Sequence, residues 1–219
     1  MSVWAVLVAA GRGERLGEDR PKAFVRLGDL PLLGEPLRRR DESGWVDHLV
    51  VVAPRDWEEP AILLAEEIGA SKVAACVTGG DTRTESVRAG VADVPDDAAV
   101  ILVHDAARPL VDDAIVERLV NALAGGYDGA VPALALRDTV KRIDGDVVVE
   151  TLERDGLVSV QTPQAFVAPV LRRALRAGEG PDCASLVEAV GGRVTVVEGD
   201  ERLLKVTTVA DLERVRGWL

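Results

Sequence analysis

The chain of 219 residues is poor in cysteine, lysine and side-chain amides, and its shortages narrow what it can be. Its two cysteines, Cys76 and Cys183, have no metal-ligand spacing, which argues against a metal module and for a reduced, cytoplasmic protein. No apolar run approaches the roughly 18 residues of a membrane span, and a strand-like segment starts at the third residue, so neither a span nor a signal peptide is expected. No Ser/Pro-rich linker divides the sequence. One domain across 1–219 is the simplest organisation, long enough to bury roughly 70% of its unfolded surface. Nor is there a basic surplus: the net charge is −11, which excludes wholesale nucleic-acid binding through a basic face. A phosphate ligand would have to be held by a local cluster of cations in a negative field.

The scarce residue types are informative where they do occur. Lysine appears only at Lys22, Lys72, Lys141 and Lys205, asparagine only at Asn121, and both glutamines fall in Gln161-Thr162-Pro163-Gln164. A thermophilic habit or an arginine-biased genome accounts for the general depletion. Neither accounts for both glutamines falling within one four-residue segment.

What is present begins with Val3-Trp4-Ala5-Val6-Leu7-Val8, an apolar strand-like run that leads into Ala9-Ala10-Gly11-Arg12-Gly13-Glu14-Arg15-Leu16 and then Pro21-Lys22. Small residues and two glycines, Gly11 and Gly13, let backbone N–H groups approach phosphate oxygens closely. Arg15 and Lys22 add positive charge where the phosphates would lie. Two familiar phosphate loops fail on spacing. A dinucleotide fingerprint needs a third glycine where Leu16 stands, and a P-loop needs Gly-Lys-Ser/Thr where the chain has Gly17-Glu18. An ordinary Gly-rich turn between strand and helix is the bland alternative for this segment.

Apolar runs of strand length then alternate with amphipathic helical stretches. Strands are expected at Val46 to Ala53, Lys72 to Val77, Val100 to Val103, Ala130 to Leu136 and Arg193 to Glu198. Helices are expected at Trp57 to Ile68, Thr84 to Val91, Ala114 to Ala124, Pro169 to Ala177, Ala184 to Val190 and Val209 to Trp218, with a short extended piece at Leu203 to Thr207. This βαβα rhythm argues an α/β protein with a mostly parallel sheet covered on both faces. Ligands of such sheets bind outside the carboxyl ends of the strands, so the loops after Val8, Val77 and Val103 should converge on one crevice. The rhythm breaks between Leu136 and Gln164. There Asp144-Gly145-Asp146 separates two β-branched runs, a hairpin signal centred on Asp-Gly. An isolated hairpin is marginal in water, so this arm should dock on a second subunit or on its own domain.

Together the segments resemble the 2-C-methyl-D-erythritol 4-phosphate cytidylyltransferase family. The likeness rests, in order, on Ala9 to Leu16, Pro21-Lys22, Gly79-Gly80-Asp81-Thr82-Arg83-Thr84-Glu85-Ser86-Val87, Val103-His104-Asp105-Ala106-Ala107-Arg108-Pro109, Asp138 to Arg142, Gln161 to Gln164, and Lys205-Val206-Thr207. The resemblance implies a Rossmann-like, nucleotide-diphospho-sugar transferase-like fold. It implies a single nucleotidyltransferase domain with a β-arm at about 137–156 that joins a homodimer. The implied reaction takes CTP and methylerythritol 4-phosphate to the cytidine diphosphate alcohol and pyrophosphate. Mg²⁺ would be held mainly by the triphosphate, with no protein-borne metal site.

By the same resemblance Arg15 and Lys22 are catalytic, stabilising the pentacoordinate phosphorus. Ala9, Ala10, Gly11, Gly13, Gly80, Asp81 and Ser86 bind the nucleotide, with Asp105 and Ala106 also near it. Asp105, Ala106, Arg108, Thr139, Thr162 and Lys205 map onto contacts with the substrate phosphate and sugar alcohol, and Arg154 onto the cation that the arm delivers to the partner's site. Asp81 also reads as a turn or helix-capping residue before Thr84. A phosphate-monoester nucleophile is already largely dianionic at neutral pH and needs no general base. His104 is accordingly read as a structural hydrogen-bonder.

One segment departs from the pattern. The family often reads Thr-Asp-acidic-Ala-Ser where this chain has Pro181-Asp182-Cys183-Ala184-Ser185, so a threonine contact to substrate is lost although the helix start survives. Ribitol 5-phosphate cytidylyltransferases share the fold and most of these loops. A non-catalytic nucleotide-binding module is the alternative of a different class, and the retained Arg15 and Lys22 speak against it. The missing third glycine disfavours a dinucleotide-dependent oxidoreductase. With one helix after Lys205 to Thr207, no fused second enzyme domain is expected.

Overall fold

The computed structural model describes residues 2–11, 13 and 19–219. Four parallel strands form the frame of the main sheet, in the order β5 (Val73–Thr78), β4 (His48–Ala53), β1 (Val3–Val8), β6 (Val100–Asp105). The three inner strands read as continuous apolar runs because helices cover both their faces. On one face Val6, Val50 and Val52 pack against α3 (Arg83–Ala92), α5 (Ala168–Ala177) and α6 (Cys183–Ala189). On the other, Ala5 and Leu49 meet α4 (Asp113–Ala124), while Leu7 and Val51 meet α1 (Gly34–Glu42) and α2 (Glu58–Glu67). Helix α3 lies unusually close to the sheet. A Cβ on Gly90 would stand 2.5 and 2.6 Å from Val6 and Val52, so only glycine fits this contact.

Beyond β6 the sheet changes direction. β11 (Gln164–Val167) inserts antiparallel between β6 and β7 (Gly129–Ala135). β10 (Val158–Val160) continues along the same edge of β7, and β12 (Val194–Glu198) runs parallel along the other. The expected strand–helix rhythm therefore holds on one half and is interrupted on the other. The parallel half ends in loops on one side, the arrangement that places ligands at strand carboxyl ends. The closing helix α7 (Val209–Arg216) packs Leu212 and Val215 against Leu27 and Leu32, beside the small ribbon of β2 (Arg26–Leu27) and β3 (Leu30–Pro31).

Several expectations shift in detail. The strand expected from Val46 starts at His48, and that expected to end at Val103 runs on to Asp105. Residues 203–207 join no strand: Glu201–Leu203 is a 3₁₀ turn, and Val206 N–H donates to Ala107 O at 2.8 Å. The arm forms as β8 (Val140–Asp144) and β9 (Val147–Leu152), a two-stranded sheet of its own. Its turn is not centred on Asp-Gly. Asp144 pairs with Val147, leaving Gly145-Asp146 as the loop, and Gly145 takes φ +56° at the first central position, where a II′ hairpin needs glycine.

Candidate active site

The loops after β1, β5 and β6 meet at one open cavity of about 670 Å³. From the first come Ala9, Ala10 and Gly11, with Lys22 from the 3₁₀ turn Lys22–Phe24 that follows. Gly13 stands behind that lysine. It holds φ +71°, and a Cβ there would collide with the Lys22 Cβ, so Gly13 is packed directly against Lys22. Arg15 lies outside the described residues. The loop after β4 adds Pro54, Arg55 and Trp57, and the Trp57 ring packs on Phe24 at 4.6 Å.

The loop after β5 contributes Gly80, Asp81 and Ser86. The buried Ser86 hydroxyl accepts from Gly80 N–H at 3.2 Å and donates to Thr82 O at 3.0 Å, which folds the loop back onto the first turn of α3. Thr82, not Asp81, caps that helix. Its side chain accepts from Glu85 N–H and the Glu85 carboxylate accepts from Thr82 N–H, closing a capping box. Asp81 is left exposed at the cavity wall.

The loop after β6 places Asp105 and Ala106 opposite. One Asp105 oxygen accepts from Arg83 Nε at 3.0 Å, with Arg83 Nη2 also 3.0 Å away, and the other accepts from Lys205 Nζ at 2.7 Å. Burial pushes the Asp105 carboxyl up, but Arg83 and Lys205 outweigh it and hold the group well below the usual carboxylate range. Lys205 reaches this position because its segment is pinned twice. Val206 bonds Ala107 O, and the Arg108 guanidinium donates to Leu203 O. Arg108 is thus turned toward the backbone beneath Lys205 and does not line the cavity.

Behind Asp105, His104 is fully buried. Its Nε2 lies 3.0 Å from Arg108 O, so that nitrogen carries the proton and Nδ1 faces the Thr162 hydroxyl at 3.4 Å. Thr162 Oγ1 in turn accepts from Asp105 N–H at 3.1 Å. Burial, reinforced by Arg40, pushes the imidazole down to about 3, so it is neutral at working pH and structural, as expected. Thr162 sits in this buried layer rather than on the cavity wall. The paired glutamines are structural too. Gln161 exchanges hydrogen bonds with Asp200 at 2.8 and 3.1 Å, and Gln164 donates to the α6 cap Asp182 at 2.8 Å. Thr139 and Arg154 lie on the exposed arm, where Arg154 donates to Arg137 O; neither lines the cavity of its own chain.

Reading the sequence passed over Arg83, although it lies inside a quoted motif. A signal was present: an arginine in the first turn of a helix opposes the positive end of the helix dipole and needs a carboxylate. Its other contact is Cys183, whose Sγ is 3.7 Å from Arg83 Nη1 and whose thiol burial pushes up to about 11. That value removes Cys183 as a nucleophile.

A parallel-sheet crevice with glycine-rich backbone, a nucleotide-sized cavity and cations held at a strand end defines an α/β nucleotidyltransferase. Comparison with known proteins narrows the class. Residues 3–219 match the family model described as 2-C-methyl-D-erythritol 4-phosphate cytidylyltransferase. A protein of that name from Nocardia farcinica is 46% identical over 213 residues, covering 96% of this chain and 91% of its own. One from Rhodococcus jostii is 44% identical over 218 residues, covering 98% and 93%. The crystal structure of the Francisella tularensis enzyme of the same name superposes with a TM-score of 0.85 at 26% identity, covering 100% of both chains. The chain belongs to the 2-C-methyl-D-erythritol 4-phosphate cytidylyltransferase family.

Proposed function

We propose that this crevice transfers a cytidylyl group from CTP to 2-C-methyl-D-erythritol 4-phosphate, giving 4-diphosphocytidyl-2-C-methyl-D-erythritol and pyrophosphate. The observation that carries the reading is the convergence of the three strand-end loops with Lys22 and Lys205 on one cavity, in a chain of this family. An oxygen of the acceptor phosphate forms a bond to the α-phosphorus of CTP, and the bond from that phosphorus to the β-bridging oxygen breaks. The acceptor is already dianionic, so no proton need be removed. No histidine lines the cavity among the described residues. Catalysis then consists of bringing two polyanions together and stabilising the charge that develops at phosphorus. Lys22 and Arg15 supply that stabilisation. The backbone of Ala9, Ala10, Gly11 and Gly13 cradles phosphate oxygens, and Gly80, Asp81 and Ser86 read the base. Asp105, Ala106 and Lys205 form the acceptor side of the cavity, with Arg108 and Thr162 bracing them from beneath.

Family members are nucleotidyltransferases that generally use a divalent metal, and Mg²⁺ is the ion we assign. Among the described residues no three His, Cys, Asp or Glu side chains converge on a metal position. Asp105, the buried carboxylate at the cavity, is already committed to Arg83 and Lys205. This donor set fits Mg²⁺ carried in on the triphosphate, with phosphate oxygens as its main ligands. When bound, the ion would supply charge neutralisation to the triphosphate and its pyrophosphate leaving group.

The single domain completes its site through the arm. Ile143, Val147, Val148 and Val149 are 55–65% exposed, and a lone hairpin with such a surface is marginal in water. A second copy of the chain covers the arm in a homodimer and receives Thr139 and Arg154, which their own cavity does not use. Among the described residues no helix is long and apolar enough to cross a membrane. Both cysteines are free, in keeping with a cytoplasmic enzyme.

The test is pyrophosphate release with CTP and a panel of sugar-alcohol phosphates, repeated with UTP. Methylerythritol 4-phosphate should exceed ribitol 5-phosphate in kcat/KM, and CTP should exceed UTP, whose ring inverts a donor and an acceptor. Preference for ribitol 5-phosphate would reassign the acceptor. Turnover with none of the panel would leave a binding module.

A further inference from the structure

The cations on the acceptor side are not independent. Arg83 begins α3, directly after the nucleotide loop, and reaches across the cavity floor to Asp105 at the end of β6. Asp105 uses its second oxygen to hold Lys205, whose side chain remains 41% exposed toward the cavity, while the Asp105 side chain is only 10% exposed. The other neighbour of Arg83 is the neutral Cys183 thiol, which contributes no charge. One carboxylate therefore faces two cations, and the triad carries one net positive charge beside the cavity. Thr162 fixes only the backbone of Asp105, so the aim of its carboxylate is left to Arg83 and Lys205.

We propose that Arg83 is a positioning residue for the acceptor phosphate: by clamping Asp105 at the cavity floor, it aims the Lys205 ammonium into the cavity and leaves the triad one positive charge for an incoming phosphate dianion. The clamp joins the loop that holds the nucleotide to the side that holds the acceptor, and it acts only through Asp105 and Lys205. The inference rests on the acceptor side being where the proposed function puts it.

The experiment is a double-mutant cycle in the full-length enzyme, using Arg83→Met, Lys205→Met and the pair, with methylerythritol 4-phosphate and CTP varied separately. Arg83→Met should raise KM for the acceptor about tenfold, leave KM for CTP within about twofold, and lower kcat little. The double variant should be no worse in acceptor KM than Lys205→Met alone, because Arg83 has nothing left to position. Arg83→Lys, which keeps one charged donor to Asp105, should recover part of the loss. Multiplying effects in the double variant, or KM for CTP rising as much as that for the acceptor, would overturn the proposal. If Arg83→Met fails to fold, Arg83→Lys carries the same cycle with smaller effects. A wild-type enzyme that releases no pyrophosphate with this acceptor would instead sink the functional reading beneath it.

Discussion

At the scale of single residues, location separates side chains that the motif presents as equals. Lys22 and Lys205 line the cavity, whereas Arg108 and His104, neighbours of Asp105 in the same motif, face inward. In the function we propose, Lys22 acts on charge that appears only in the transition state. Lys22→Ala should therefore lower kcat by about 10²- to 10³-fold while CTP affinity falls far less. A near-normal kcat would remove Lys22 from the chemistry. His104 makes a prediction about stability instead. Buried, it titrates near 3, whereas the unfolded chain takes up that proton near 6.5. Its contribution is complete above pH 6.5 and declines as pH falls toward 3. Unfolding free energy from urea titration should drop by up to about 2 kcal/mol between pH 7 and pH 5. His104→Asn should flatten that slope; an unchanged slope would mean that the imidazole is not held neutral. Asp105, depressed by its two cations, adds a loss only at lower pH, below the ordinary carboxylate range.

At the scale of elements, α3 and α5 hold each other by exchanged arginines. Arg172 of α5 donates to Val91 O, Val94 O and Pro95 O at the end of α3, at 3.1, 2.7 and 2.9 Å. Arg88 of α3 donates to Leu175 O and Gly178 O at the end of α5. Each guanidinium meets carbonyls at or just past a helix end, where intrahelical partners run short, adding to the backbone N–H bonds that Val91 O and Pro95 O already accept. Arg172→Ala should cost about 2 kcal/mol in urea unfolding, the scale of several charge-assisted hydrogen bonds lost together; an unchanged midpoint would show that water replaces them. Pairs of this kind are invisible in sequence, since 81 residues separate Arg172 from Val91. The βα units around β1, β4, β5 and β6 were legible because their apolar runs and helical periods are local. Residues 23–45 were not. There α1 carries Arg38-Arg39-Arg40, a charge run that reads as solvated surface, yet Arg40 is 1% exposed beneath the loop before α4. β11 was hidden for a similar reason. Its four residues begin with Gln164, and their place between β6 and β7 is settled by long-range pairing alone. In the site, the Gly-rich backbone after β1 and Lys22 were legible from spacing, while Lys205 and the loop after β5 were reached only through the family resemblance. The Arg83 clamp needed the third dimension.

For the whole molecule, the open question of assembly and the chemistry meet at the arm. If it crosses a two-fold axis, each site combines Lys22 of one chain with Arg154 of the other. Mixing Lys22→Ala protein with Arg154→Ala protein under subunit exchange should then restore about a quarter of all sites, because one site of each mixed dimer collects both defects. Activity no higher than the mean of the two parents, with exchange verified by mass, would leave the arm a structural flap. The central claim is that an acceptor phosphate oxygen attacks the α-phosphorus of CTP and expels pyrophosphate. Methylerythritol 4-phosphate labelled with ¹⁸O in its phosphate group tests it most directly, with products read by ³¹P NMR and mass spectrometry. The expected result is full retention of the label in the cytidine diphosphate alcohol, including its bridging oxygen, and none in pyrophosphate. Label in pyrophosphate, or CMP formed in place of the diphosphate, would contradict it.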